Sequence, residues 1–347
     1  MPYSLQLALA SGVLALLLTP LARALALRVG ALDHPGPRRV HSEPTPRFGG
    51  LAMASAVLLV AWAARVLPGP ARELDPRPLL GLTCASIPIL ILGVVDDMRG
   101  AGPWVKLAVQ ACAALTLTLF GFGVPLLSNP FGAPFVTGMW SIPLTVAWVV
   151  VLTNAINLID GLDGLAAGVV AIACGALWFT ARRHGDFYVM FLGTLMLGAC
   201  LGFLWWNRPP ARVFMGDTGS QFLGLTLSAL SLLENRKGTA AVTLLLPIVA
   251  LGVPIADSTL AFVRRLLRGQ HVFRGDARHI HHRLLDAGLS PRAALGVLWT
   301  LSAMFGGAAV LLEFAPHRWT APVMATLASV LMAVLLTARE RARRRRD

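Results

Sequence analysis

The sequence predicts an all-α, polytopic integral membrane protein with about eleven transmembrane helices, ten at the fewest. Three observations carry that prediction. Only 14% of the 347 residues are charged, against about 25% in a soluble domain. Hydrophobic residues make up 56% and the mean hydropathy is +0.68, so most of the chain must sit where charge is not tolerated. Apolar runs of roughly 20 residues, the length that spans a bilayer, recur from one end to the other. Backbone groups in lipid must be bonded internally, which leaves helices as the spanning form.

The apolar windows lie near 3–24, 49–67, 79–95, 104–124, 137–156, 164–181, 187–206, 218–234, 240–263, 292–313 and 319–338. The first window lacks a basic n-region, its first Arg being at 23, and runs straight into a full span. It therefore reads as a retained helix rather than a signal peptide. No linker divides the chain, which predicts a single transmembrane domain over 1–338 and a basic tail over 339–347. Pro247 and Pro254 predict a bend in the ninth helix, opening a lateral groove that Asp257 would line.

The formal charge is +13, and Lys occurs only at 106 and 237. Such a charge reads as membrane orientation rather than nucleic-acid binding. With the N-terminus outside, the inside connections are 25–48, 96–103, 157–163, 207–217 and 264–291. Together with the tail, and with Lys106 and Arg292 at their edges, they hold 21 of the 30 Lys and Arg, the outside connections 8. Cytoplasmic loops are enriched in these residues, so the expected orientation is N-out, C-in. The four cysteines fall inside apolar runs without disulfide or zinc spacing and read as small packing residues.

Acidic residues sort the same way. Asp33, Asp96, Asp97, Asp160, Asp163 and Asp217 fall on the inner side, several where a helix meets the interface. A carboxylate at that depth is costly unless it is paired, hydrated or metal-bound. Five segments on this side carry chemistry.

Asp96-Asp97 closes an apolar helix: one carboxylate could hold a cation while the other takes a proton, or both could simply face water. Asn154, Asn157, Asp160 and Asp163 recur every three residues, so on a continuing helix they share a slowly drifting face, and Gly161 and Gly164 then let the chain turn or a ligand approach. Such hard oxygens suit Mg²⁺; caps and turn formers explain one or two of the four. Gly216-Asp217-Thr218-Gly219-Ser220 opens the eighth helix, where Asp217 and Ser220 could be caps or free N–H groups could receive phosphate. Asp276-Ala-Arg-His279-Ile-His281-His282-Arg283 lies in the longest basic loop. Its spacing is no standard zinc pattern and suits a diphosphate, or a loop resting on anionic headgroups. Arg38 to Gly50, with Arg39, His41, Thr45 and Arg47, reads as an inside anchor that ends in a helix start.

Taken together, in this order and on one face, the five segments resemble the polyprenyl-phosphate N-acetylhexosamine-1-phosphate transferases. The resemblance runs from about residue 33 to 286. It implies that Asp96 and Asp97 act in catalysis and handle the carrier phosphate, and that Asn157 and Asp217 hold Mg²⁺, with Mn²⁺ as an alternative ion. Asn154, Asp160 and Asp163, with His279, His281, His282 and Arg283, would bind the nucleotide-sugar. Arg39, His41 and Thr45 would bind the carrier phosphate; Arg39 stands where the family usually has Lys, which keeps charge but changes contact geometry. The H-I-H-H-R-L form resembles the N-acetylglucosamine branch, whereas the peptidoglycan translocases usually carry three consecutive histidines.

The activity so implied is Mg²⁺-dependent transfer of N-acetylglucosamine 1-phosphate from a UDP-sugar to undecaprenyl phosphate, at the cytoplasmic side of a bacterial plasma membrane. It would start a cell-envelope polysaccharide, and two copies of the chain could pair. The nearest alternative is phospho-MurNAc-pentapeptide transfer. An ion-coupled transporter is the rival from another class. It should place acids near mid-bilayer, whereas here only Asp257 lies well inside a span.

Overall fold

The computed structural model describes residues 2–35, 43–127, 135–235, 252, 255–257, 259–260, 279–315 and 317–344. Arg39, His41, Pro247, Pro254, Asp276 and most of the ninth apolar window lie outside the described residues.

The described helices follow the apolar windows. They are α1 Tyr3–Val29, α2 Gly49–Val66, α3 Pro76–Arg99, α4 Pro103–Leu119, α5 Ser141–Ile159, α6 Leu165–His184, α7 Phe187–Asn207 and α8 Gly216–Asn235, then the short α9 Ile280–Asp286, α10 Pro291–Phe314 and α11 Thr320–Arg344. Eight of the long helices are apolar and long enough to cross a membrane, and α4 is apolar but shorter. The molecule is an all-α polytopic membrane protein. Its only strands among the described residues are two antiparallel pairs of two residues each, 32–33 with 45–46 and 126–127 with 135–136.

Helix ends differ from the apolar windows for a simple reason. Hydropathy marks where lipid stops, but a helix continues until a residue caps it. α1 runs on to Gly30, whose left-handed conformation (φ 75°) closes it. α3 continues through Asp96 and Asp97 to Arg99, so the acid pair sits on a last helical turn and not in a loop beginning at 96. α11 continues to Arg344, which makes the first part of the basic tail a helical extension. At the other ends, Asp75, Asp186 and Ser290 accept backbone N–H groups as side-chain caps.

Lipid-facing and packed faces are distinct. On α1, Leu5, Leu9, Val13, Leu17, Leu21 and Leu25 are exposed, while Leu7, Ser11, Ala15, Thr19, Ala22 and Ala26 are buried. The buried stripe packs on α7, where a Cβ on Gly198 or Gly202 would strike the α1 backbone at Ala8 or Gly12. Small residues let the two backbones touch, which replaces the missing hydrophobic drive between helices in lipid. Cys174 and Cys200 are buried packing residues, whereas Cys84 and Cys112 are exposed.

α8 is the hub, touching α2, α3, α5, α6 and α7. Its Thr218, Ser220, Gln221, Thr226, Ser228 and Ser231 are all buried, polar content that would be unaffordable against lipid. Internal bonds answer several of them: Ser228 Oγ donates to Gly224 O at 2.7 Å, and Trp148 Nε1 donates to Ser231 Oγ at 2.7 Å. Gly50 and Gly93 have no room for a Cβ against Gly219 and Thr218, so α2 and α3 clamp the N-terminus of α8.

Candidate functional site

The site is assembled where the C-terminal ends of α3 and α5 meet the start of α8. Backbone bonds set the frame. Phe214 N donates to Pro46 O at 2.8 Å, and Gly49 N and Gly50 N donate to Phe214 O and Met215 O at 2.9 Å each. The end of the loop before α2 is thereby laid along the segment leading into α8. Gly216 then turns with φ 69°, in a place where a Cβ would strike the Asp97 carboxylate.

Asp97 is 5% exposed and spent on that helix start. Its Oδ1 accepts Asp217 N at 2.8 Å, and its Oδ2 accepts Thr218 N at 3.1 Å and Thr218 Oγ1 at 2.7 Å. A carboxylate at a helix N-terminus is favourable for both its bonds and the dipole. The first N–H groups of α8, open to phosphate on the sequence reading, are therefore taken by Asp97.

Asp96 points elsewhere. Gly100 and Gly102 turn the chain and Pro103 opens α4, which brings Lys106 back over α3. Asp96 Oδ1 accepts Ala101 N at 2.5 Å and Oδ2 accepts Lys106 Nζ at 2.7 Å. Lys106 Nζ also bonds to Asp217 Oδ2, and Asp96 and Asp217 lie within hydrogen-bonding reach of each other. Two carboxylates from distant segments thus converge on one cation.

α5 supplies the next wall. Asn157 Nδ2 donates to Ser220 Oγ at 2.8 Å, and the amide also reaches Asp217. Asn154 Nδ2 donates to Gln110 Oε1 at 2.7 Å and Val150 O at 2.8 Å, which directs its amide to α4. Asp163 Oδ2 accepts Ala211 N at 2.9 Å, and Asn207 Oδ1 accepts Gly164 N at 2.9 Å. These bonds staple the α5–α6 turn to the α7–α8 connection. The half-buried Asp160 carboxylate has no hydrogen-bond partner among the described residues. Burial, then the negative charges of Asp217, Asp97 and Asp163, push it well above the usual carboxylate range, against the smaller pull of Arg47. Arg47 is itself paired with Asp33. Thr45 is buried and donates to Glu43 O at 3.1 Å.

The histidines close over this turn. His281 is 2% exposed, and its Nε2 has no hydrogen-bond partner among the described residues. That nitrogen lies 2.5 Å from where a Cβ on Gly161 would be, so only glycine admits it. Burial, then the charge of His282, pushes the His281 imidazole down to about 3, Asp257 opposing and His279 assisting, which keeps the ring neutral. His282 stacks on it at a tilt, centroids 4.3 Å apart, and His282 and Arg283 are half-buried. Asp257 does not line an open groove. It is 3% exposed and faces inward, because its carboxylate is bonded to His279 and to the Ile280 N–H.

Among the described residues no three His, Cys, Asp or Glu side chains form a closed metal cage. Mg²⁺ does not need one: it takes one or two carboxylates and completes its shell with water and substrate phosphate. Asp96 and Asp217, already converging on an ammonium, are a donor set of that kind. Asn157 beside them is a third oxygen once its amide turns, an exchange of O and N that costs the Ser220 contact. Carboxylates outnumber cations here, so phosphorylated ligands would be repelled unless a divalent cation entered with them.

Lys106 and Gln110 were not singled out by the sequence, and Ser220 was read there only as a possible cap. Lys106 counted only as a positive-inside charge. Its signal was its rarity in a chain whose basic residues are otherwise almost all Arg.

Residues 79–235, from α3 through α8, match the model of glycosyl transferase family 4. Three relatives extend the likeness over most of the chain. The probable undecaprenyl-phosphate N-acetylglucosaminyl 1-phosphate transferase of Bacillus subtilis is 38% identical, over 86% of this chain and 82% of its own. The decaprenyl-phosphate N-acetylglucosaminephosphotransferase of Mycolicibacterium smegmatis is 36% identical, over 95% of this chain and 86% of its own. The undecaprenyl-phosphate alpha-N-acetylglucosaminyl 1-phosphate transferase of Escherichia coli K12 is 27% identical, over 89% of this chain and 84% of its own.

Proposed function

Because the chain belongs to glycosyl transferase family 4, we propose a full reaction for it: UDP-N-acetylglucosamine and undecaprenyl phosphate give undecaprenyl-diphospho-N-acetylglucosamine and UMP, with Mg²⁺, at the cytoplasmic side of a bacterial plasma membrane. The coarser activity, transfer of N-acetylglucosamine 1-phosphate to a polyprenyl phosphate by a multi-pass membrane enzyme, follows from the relatives. It replaces the transporter alternative. The finer reading rests chiefly on one observation: Asp96 and Asp217 meet on a single cation beside the α5–α6 turn.

In this scheme an oxygen of the lipid phosphate attacks the β-phosphorus of the nucleotide-sugar. The bond from that phosphorus to the bridging oxygen breaks, and UMP leaves with the electron pair. Transfers of this kind need alignment and charge neutralisation more than covalent help. Bound Mg²⁺ would supply the positive charge that stabilises the diphosphate and the leaving UMP. Asp217 and Asp96 would hold it, with Asn157 as a further oxygen donor.

The remaining steps belong to the protein's own groups. Lys106, released from between the two acids, stays close enough to hold a phosphate oxygen. His282 and Arg283, half-buried at the same turn, face the nucleotide-sugar, and the buried His281 ring packs beneath them against Gly161. Asp97 fixes the α8 start and so positions Asp217, a supporting role within the catalytic pair. Asp160 and Asp163 shape the turn that faces the nucleotide, and Asp163 does so through its bond to Ala211 N. A phosphate with second pKa near 6 is mostly dianionic at neutral pH, so the attacking group needs little help from a base.

The test is purified protein in detergent with undecaprenyl phosphate, Mg²⁺ and a panel of UDP-sugars that includes UDP-MurNAc-pentapeptide. UMP release and lipid product should appear with UDP-N-acetylglucosamine, stop with chelator, and be lost in Asp217→Asn. Failure with every UDP-hexosamine would sink the donor assignment, and near-normal turnover of Asp217→Asn would sink the metal assignment. Restoring activity with Mn²⁺ and measuring the particle mass in detergent would decide the alternative ion and the proposed homodimer.

A further inference from the structure

The transfer scheme leaves Asp257 without a task, yet this acid is 3% exposed in an apolar region. A carboxylate so placed is costly unless its oxygens are answered. Both are: Oδ2 bonds to His279 Nδ1 at 2.9 Å, and Oδ1 accepts Ile280 N at 2.9 Å. Asp257 shares a small void with His281, walled by Ile159, Leu165, Val169, Ile280 and Leu298. The void is about 10 Å³, space for no more than a water. No substrate reaches this carboxylate, so any effect it has on the reaction is exerted through its neighbours.

We propose that Asp257 is a positioning residue, which fixes the tautomer of His279 and the start of α9 and thereby holds the buried His281 ring against Gly161 and the half-buried His282 and Arg283 toward the nucleotide-sugar. The role assigned to His282 and Arg283 rests on the transferase reading above.

The chain of contacts is short. A carboxylate can only accept, so its bond places a proton on Nδ1 of His279. A seven-residue helix such as α9 is too short to hold itself, and Asp257 ties down its first N–H. The His279 and His281 rings lie parallel within 3°, centroids 5.9 Å apart, so fixing one plane constrains the other. The beneficiaries are His282, whose ring lies 4.3 Å from that of His281, and Arg283, both half-buried on the same short helix. The same pairing of an acid behind a histidine sets ring orientation and tautomer wherever histidines act as ligands.

The full-length enzyme in detergent tests this with Asp257→Asn. The amide keeps an oxygen for Ile280 N–H but no longer offers His279 an acceptor of full charge. Loss of an outer partner of this kind costs about tenfold or more. The expected result is a fall of about tenfold in kcat/KM for UDP-N-acetylglucosamine, carried mainly by KM. In a His281→Ala background the same substitution should add less than about twofold, since residues in one chain of contacts are not additive. The ¹⁵N spectrum of labelled histidines should show the His279 Nδ1 signal displaced in Asp257→Asn. A full tenfold loss that recurs in His281→Ala, or unchanged histidine signals, overturns the assignment. If Asp257→Asn does not fold, Asp257→Glu keeps the charge and shifts the histidine by one methylene, and the same two readouts decide. A wild-type enzyme that releases no UMP from UDP-N-acetylglucosamine would refute the transferase reading instead. The nitrogen signals would then still decide the Asp257–His279 coupling by themselves.

Discussion

Replacing Asp97 by Asn keeps the shape of the side chain and removes one acceptor and one charge. The carboxylate accepts three bonds at the start of α8: one at Oδ1 from Asp217 N, and two at Oδ2 from Thr218 N and Thr218 Oγ1. The less damaging amide orientation turns its NH₂ toward Asp217 N, so two donors face each other. A buried N–H left unpaired costs about 1–3 kcal/mol, and loss of the charge from the helix N-terminus about 0.3–1 kcal/mol, more where partly buried. The return is relief from burying an ion, which offsets part of this, so the net is about 1–2 kcal/mol. At this chain length that lowers the melting temperature by about 2–4 °C, read as monodisperse protein surviving heating in detergent. Transfer should fall as well, because Asp217 loses its fixed place. An Asp97→Asn protein that is inactive but melts with the wild type would refute this. It would show that the carboxylate acts on substrate rather than on α8.

Three further outcomes follow from the same contacts. Asp160 is raised above the ordinary value of 3.8 in the folded protein, so its contribution to stability is complete below that value and is lost as pH rises through the raised one. Asp160→Asn should therefore melt higher than wild type at pH 8, with a smaller gap at pH 5, while losing transfer; no gain at pH 8 would contradict the burial argument. Lys106→Gln leaves Asp96 and Asp217 facing each other, so it should melt below wild type in chelator and recover most of the gap in millimolar Mg²⁺, by linkage to binding. A gap indifferent to Mg²⁺ would dissociate that pair from the metal. Gly202→Leu forces α1 off α7 and should cost a few kcal/mol and most of the folded yield, whereas Gly175→Leu, with nothing within 4 Å of its Cβ position, should be tolerated. Equal yields would show that the close α1–α7 approach is not needed.

The spans and the gathering of acids at one end of the helices were legible in the sequence because both depend on short-range properties. A bilayer imposes a run length on apolar residues, and positions 96, 97, 157, 160, 163 and 217 carry their carboxylates and amides at the ends of those runs whatever the helices later touch. Helix ends were less legible, since α1, α3 and α11 extend past their apolar windows.

What each polar residue does was decided by packing between distant segments. Asp96 and Asp97 are neighbours in sequence, but adjacent side chains on a helix diverge, so one meets Lys106 and the other the start of α8. Hydropathy ranked Lys106 as one more inside charge; the turn at 100–102 made it the counter-ion of two acids. It placed Asp257 toward a groove, although the carboxylate turned inward to His279. The physical reason is range. Periodicity and hydropathy are local and report the solvent around a residue. Partner choice depends on how closely backbones approach, which glycines at 50, 93 and 161 permit only against particular neighbours. The sequence alone thus determined a membrane bundle with its acids on one face, and the tertiary structure alone determined which of those acids share a cation, which one caps a helix and which one lies behind a histidine.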